Sequence, residues 1–165
     1  HWCPPTPPTK LPGQQATQQR YGAFQSVAIR HRDFIMTIDP TVEREAIAVV
    51  DRYYAALNAN DEDGVRDAFH FPHIRIGKAG DVKTLPEPAD FQFESFLSQM
   101  KQDGWHHSAW DRTEVVFTTP SKAHIAVNFT RYRADDSVIG QTSLLYIITE
   151  YTGRWAIQCG SGDGG

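Results

Sequence analysis

The apolar positions of residues 44–69 recur with the spacing of an amphipathic helix that leads into a second helix. Residues three and four positions apart are apolar, and this spacing buries one helix face. Asp39 followed by Pro40 predicts the start, because an Asp side chain caps free amides and proline suits the first helical position. The acidic turn at 60–63 starts the second helix, and Pro72 limits where that helix can end.

The rest of the chain alternates strand-like and helix-like patterns and ends in an antiparallel meander. A short strand is predicted at 71–76, a third helix within 89–102 closed by Gly104, and strands at about 106–118, 122–134, 140–151 and 154–160. This order predicts an α+β fold in which three helices in the N-terminal half pack in a curved, mainly antiparallel sheet.

Composition is that of an ordinary globular domain. The chain has 165 residues, 40% of them hydrophobic, and a formal net charge of −4, which fits one domain with a sizeable core. The acidic balance and the lack of a basic stripe argue against nucleic-acid binding, and no apolar run approaches membrane-spanning length. Cys3 and Cys159 do not make a disulfide framework. We therefore expect free thiols and a cytoplasmic location.

The Pro-, Thr- and Gln-rich N-terminal part has little core potential. We expect residues 1–35 to be an extension, partly disordered or derived from an upstream segment, with Met36 as a plausible native start. The domain then spans 36–161, and the glycine-rich residues 162–165 form a flexible tail.

Two segments carry a family resemblance. VVDRYYAALNANDEDGVRDAF, at 49–69, resembles the first two helices of the ketosteroid isomerase and SnoaL-like branch of the nuclear transport factor 2-like superfamily, and GRWAIQ, at 153–158, resembles the last hairpin of SnoaL-like proteins. The resemblance covers 40–160. It implies a cone-shaped α+β barrel with an internal pocket, and often a homodimer through the outer sheet face. It leaves function open, because the superfamily hosts isomerases, cyclases, dehydratases, epoxide hydrolases and non-catalytic modules.

Strand alternation then predicts which side chains line the pocket, since successive side chains point to opposite faces. In the strand at 122–134 the odd positions form an apolar set that includes Val127 and Phe129 and carries Arg131 towards one end. We expect this set to face the interior. Arg131 could hold an enolate or carboxylate there, or simply pair with Asp111.

In the preceding strand, His107 and Asp111 share the face of Val115 and lie roughly 13 Å apart. SnoaL-like proteins often carry a histidine at the start of this strand and a polar residue four positions later, which matches His107 and Asp111. A register slip of one residue would substitute His106. We expect His107 to act as acid–base group and Asp111 as a base in an apolar pocket.

Tyr53 matches the ketosteroid isomerase tyrosine, which implies stabilisation of an enolate oxygen. A core phenol with one hydrogen bond is the structural alternative. The isomerase base aspartate would fall within 76–78, and its second aspartate near Leu145, where no carboxylate stands. Classical ketosteroid isomerisation is therefore excluded.

The remaining polar and aromatic residues have less defined roles. Trp110 either packs or closes the pocket mouth, and His73 beside Pro72 either touches substrate or lies on the surface, which we favour. His106 and His107 point to opposite strand faces and cannot easily share one metal ion, so no metal is expected.

Together these features favour a SnoaL-like enzyme without cofactor. We expect acid–base chemistry of isomerase, cyclase or dehydratase type on a small hydrophobic molecule in a deep pocket. The alternative is a non-catalytic ligand-binding or dimerisation module of the same fold. Epoxide hydrolysis ranks lower, because it needs two carboxylates around a water and only Asp111 is expected inside.

Overall fold

The computed structural model describes residues 37–163. The predicted extension of residues 1–35, Met36, Cys3 and the last two glycines of the predicted tail lie outside this part. The helices are α1 (Pro40–Asn58), α2 (Glu62–Asp67) and α3 (Phe93–Gln102), and the strands are β1 (Phe69–Ile76), β2 (Val82–Leu85), β3 (His107–Thr119), β4 (Lys122–Tyr132), β5 (Val138–Tyr151) and β6 (Arg154–Ser161).

The helix boundaries follow the predicted signals. Asp39 caps α1, because its carboxylate accepts hydrogen bonds from the backbone amides of Thr41 and Val42. Asp61 caps α2 in the same way through the Gly64 amide. Gly104 follows α3 with a φ of 79°, a left-handed conformation that glycine adopts without strain. The three predicted helices are confirmed.

The strands form one open mixed sheet in the order β2-β1-β6-β5-β4-β3. Only β1 and β6 pair in parallel, and β2 and β3 are the edges. The predicted α+β class with a mainly antiparallel sheet is confirmed, although the sheet does not close. Strand β2 was not predicted, because its four residues are mostly exposed and lack an apolar alternation.

The core lies between α1 and the inner sheet face. Val50 and Tyr53 of α1 are buried in one cluster with Ile125, Ile148 and Ile157, from three neighbouring strands. Cys159, on β6, is a buried free thiol. None of the helices within residues 37–163 is both long and apolar enough to cross a membrane.

Asn58, the last residue of α1, joins this helix to the edge strand β3. Its side-chain Nδ2 donates to the carbonyl oxygen of Ser108 at 2.8 Å, and its Oδ1 accepts from the Ser108 amide, also at 2.8 Å. The amide side chain therefore takes the place of a neighbouring strand for one residue. Because Ser108 is buried, its backbone groups would otherwise lack partners.

Replacing Asn58 by alanine should lower the free energy of unfolding by about 1–3 kcal/mol, because two hydrogen bonds to buried backbone groups are lost. Urea denaturation followed by circular dichroism measures this change. Asn128→Ala is the matched control, since Asn128 is exposed on β4. Equal effects of the two substitutions would contradict the role assigned to Asn58.

Candidate functional site

A cavity of about 430 Å³ lies between the helices and the inner sheet face. Seven phenylalanine and tyrosine residues belong to its wall: Tyr53, Tyr54, Phe69, Phe91, Phe96, Phe129 and Tyr146. A second hollow of about 490 Å³ beside α2 is wide open to solvent and lined by charged side chains such as Asp63 and Arg154. The first cavity is the more enclosed of the two, and it combines ring surfaces with polar groups that point into it, so we take it as the candidate site.

His73 lines this cavity and is only 1% exposed. Its Nδ1 lies 3.2 Å from the carbonyl oxygen of Ile157. A carbonyl can only accept, so Nδ1 carries the proton and Nε2 presents a lone pair. The ring stacks on Phe69 with centroids 4.2 Å apart. Burial and, second, the charge of Arg75 lower the pKa of His73 to about 4, so the imidazole is neutral at pH 7.

Three tyrosines meet in the cavity wall. The rings of Tyr53 and Tyr54 lie 5.2 Å apart, and those of Tyr53 and Tyr146 lie 6.2 Å apart. Burial raises the pKa of Tyr54 and that of Tyr146 well above the ordinary phenol value. The two phenols interact, yet the Tyr54 hydroxyl has no hydrogen bond of standard geometry among the described residues. Both groups therefore stay protonated and can act as donors.

Two arginines contribute to the same wall without an ion pair or hydrogen bond within residues 37–163. Arg75 lies against three rings, with its guanidinium carbon 5.6 Å from the Phe69 and Phe91 centroids and 5.1 Å from that of Phe96. The Arg131 guanidinium lies 5.6 Å from one ring, Phe129. Ring faces attract such cations without neutralising them. The carboxylates of the lining, Asp81, Asp90 and Asp103, belong to exposed residues at the rim.

The predicted catalytic pair His107 and Asp111 does not reach the cavity. The His107 ring stacks on Tyr132 at 4.9 Å, and its Nε2 lies 3.9 Å from the exposed Asp136 carboxylate. Asp111 is exposed and accepts a hydrogen bond from the Thr130 hydroxyl at 2.7 Å, so it does not pair with Arg131. The prediction that both face the interior is wrong.

The physical reason is the phase of β3. Ser108, not His107, is the buried cavity residue at the start of this strand. A bulge between Trp110 and Arg112 then breaks the alternation that placed Asp111 with Val115. The alternative His106 is exposed and does not line the cavity either.

The other predicted positions divide between the cavity and the core. Tyr53, Phe129, Arg131 and His73 line the cavity, and the preferred surface position for His73 is wrong. Val127 is fully buried in the core and does not line the cavity. Trp110, on the edge strand β3, is 39% exposed and lies outside the lining as well.

The cavity residues that were not predicted as site residues include Tyr54, Arg75, Ser108 and Tyr146. Strand alternation could have identified Arg75, because it stands two positions after His73 and side chains at that spacing share a strand face. Ser108 had none, since its inward direction depends on the contact with Asn58. Among residues 37–163, no cluster of three or more His, Cys, Asp or Glu side chains could hold a metal ion.

A family model described as NTF2-like protein (DUF6841) matches residues 44–160. No curated protein is significantly similar in sequence.

Solved structures with the same fold include a protein of unknown function with a cystatin-like fold from Nostoc punctiforme, which has 14% identity and a TM-score of 0.62 and covers 78% of this chain and 94% of its own. Aln2 from a Streptomyces species has 14% identity and a TM-score of 0.61, over 76% of this chain and 92% of its own. An NTF2-like protein of unknown function from Shewanella oneidensis has 11% identity and a TM-score of 0.57, with 74% and 98% coverage. At these identities the likeness shows the fold alone.

The pKa of His73 predicts a specific pH dependence of stability. Below about pH 6.5 the unfolded chain binds a proton at this residue and the folded chain does not, so stability falls as the pH drops. The gap between 6.5 and about 4 corresponds to a loss of about 3 kcal/mol near pH 4.

Urea denaturation at several pH values between 7 and 4 tests this dependence. His73→Gln should remove the part of the pH dependence of the free energy of unfolding that His73 causes. His106→Gln, at an exposed position, should retain it. An unchanged pH dependence in His73→Gln would show that folding does not lower the pKa of His73.

Proposed function

The chain belongs to the NTF2-like family described as DUF6841, and on this premise we propose that it is a cytoplasmic, cofactor-independent enzyme of SnoaL type. It binds a small hydrophobic molecule in the cavity and transfers a proton beside a carbonyl group, as isomerases, cyclases and dehydratases do. The family alone does not carry this proposal, because function belongs to the site and not to the fold.

The observation that supports it is a neutral, buried histidine in the wall of the cavity. His73 presents an unprotonated Nε2 at neutral pH, since the Ile157 carbonyl fixes the proton on Nδ1. A general base needs this protonation state and a position within reach of the substrate. His73 therefore replaces His107 and Asp111 as the proposed base.

A phenol supplies the complementary function. An enolate oxygen that forms during proton abstraction requires donors that are already oriented and shielded from water. Tyr53 lines the cavity, and its ring lies 5.4 Å from that of Phe69, on which His73 stacks. We assign the Tyr53 hydroxyl to the carbonyl oxygen of the substrate.

A non-catalytic ligand-binding module is the second candidate. It is favoured by the packing of Tyr53, whose ring lies 5.4 Å from Phe69 and close to two other tyrosines, as in a structural core. The two functions differ in turnover and not in binding.

The chain should accelerate exchange of the α-protons of β-tetralone for deuterium in D₂O, followed by NMR. This neutral aromatic ketone fits the cavity and needs only a base and an oxyanion donor to exchange. His73→Gln should slow the catalysed exchange by about a hundredfold or more, because removal of a positioned base has effects of that size.

His106→Gln is the control variant and should exchange at the parental rate. A His73→Gln protein that binds β-tetralone and exchanges it as fast as the parent would refute His73 as the base. If the parent chain binds β-tetralone but does not exchange its protons, the enzyme proposal is refuted and the non-catalytic ligand-binding module is favoured.

We also propose a homodimer through the outer face of the sheet. Leu145 and Ile147 alternate with the buried Tyr146 and Ile148, so their side chains lie on the outer face. Light scattering after size-exclusion chromatography should give twice the mass of the chain, and Leu145→Glu should halve it. A monomeric parent protein would contradict this.

A further inference from the structure

Arg131 and Tyr54 form a pair of unused donors in the cavity wall. The Arg131 Nε atom and the Tyr54 hydroxyl are both fully buried, and neither makes a hydrogen bond of standard geometry with the described residues. A buried donor without a partner is costly, and a charged donor more so. Both groups lie against the same ring, because the Tyr54 ring centroid and the Arg131 guanidinium carbon are each 5.6 Å from the centroid of Phe129. We therefore expect one acceptor to serve both.

A third donor faces the same place. Ser108 stands directly opposite Arg131 in the β3–β4 register, and its side chain lies in the cavity wall. The Ser108 Oγ atom accepts a hydrogen bond from the indole Nε1 of Trp105 at 2.9 Å. Its own hydroxyl proton is therefore free to be donated.

These donors select the chemistry of the acceptor. An arginine remains charged under all relevant conditions and can only donate, and Tyr54 keeps a proton to donate because its pKa is raised. The planar guanidinium matches the two oxygens of a carboxylate, and the phenol and serine hydroxyls can bind their remaining lone pairs. We propose that the cavity binds a carboxylate-bearing aromatic or alicyclic molecule, with its carboxylate held by Arg131, Tyr54 and Ser108.

The rest of the cavity fits the apolar body of such a ligand. Phe91, Phe96 and Phe129 present ring surfaces to it. Arg75, the other arginine of the wall, packs against three rings and has no unpartnered buried nitrogen. Arg131 is therefore the anchor. This assignment deepens the proposed function, on which it rests for its cavity, by naming the substrate class.

The test compares two probes of equal shape. Naphthoate carries the carboxylate, and naphthamide is its neutral counterpart. Isothermal titration calorimetry should give an affinity of the parent chain for naphthoate at least about tenfold above that for naphthamide, as expected for charge-assisted hydrogen bonds. Inorganic phosphate serves as a third probe and should not compete, because it lacks the apolar body.

Variants locate the binding group. Arg131→Gln should lower the naphthoate affinity about 10- to 100-fold and leave naphthamide binding unchanged, and Tyr54→Phe should have a smaller effect in the same direction. Arg112→Gln is the matched control, since Arg112 is exposed on the neighbouring strand and pairs with Glu114. Unchanged naphthamide binding also shows that a variant is folded. If Arg131→Gln does not fold, Tyr54→Phe and the two probes on the parent chain decide the test.

Equal affinity for the two probes, or a ratio that Arg131→Gln does not change, would overturn the proposal. The proposal would also be overturned if the parent chain failed to bind naphthoate at millimolar concentration, or if inorganic phosphate competed with naphthoate. Exchange of β-tetralone without naphthoate binding would refute the carboxylate site and keep the catalytic proposal. Naphthoate binding without exchange of β-tetralone would keep the carboxylate site and refute the catalytic proposal.

Discussion

The hydrogen bonds between Asn58 and Ser108 are the constraint on which the site depends. An edge strand packed against a helix end leaves backbone groups that neither water nor another strand can bind. The Asn58 side chain satisfies one donor and one acceptor of this edge at once. It thereby fixes β3 in the phase that turns Ser108 inwards and His107 outwards. The Asn58 side-chain amide therefore determines that Ser108, and not His107, belongs to the cavity wall.

The electrostatics of the cavity follow from its unpaired arginines. Aromatic faces stabilise the Arg75 guanidinium, but they leave its positive charge in place. That charge adds to the desolvation that keeps His73 deprotonated. A carboxylate partner for Arg75 would cancel much of this effect and raise the pKa of His73. Burial is the larger cause of the lowered pKa of His73, and the absence of such a partner among residues 37–163 lets the Arg75 charge add to it.

Local signals predicted most of the fold and only part of the site. Helix α1 and its cap at Asp39 are encoded within a few residues, as are the strands of the meander and the turn after α3 at Gly104. The apolar alternation of β4 was sufficient to place Phe129 and Arg131 in the wall. Alternation failed in β3, because a bulge and a contact with a residue fifty positions earlier set its phase. His73 was misplaced because its neighbour Pro72 suggested a strand end, whereas a parallel partner, β6, covers it.

The positions of the base and the anion site set the length of the ligand. His73 lies on β1 and Arg131 on β4, and β6 and β5 separate these strands in the sheet. Three strand spacings amount to about 14 Å, and inward-pointing side chains from both walls shorten the gap that a ligand must bridge. Tyr54 and Arg131 lie against the same ring, Phe129, and Tyr146 belongs to β5, one of the two strands between His73 and Arg131. A molecule that places a carboxylate at Arg131 and an acidic C–H at His73 must therefore extend past both phenols. A body of about two fused rings meets this requirement, and its carbonyl oxygen would then fall beside the tyrosines, where the donors are.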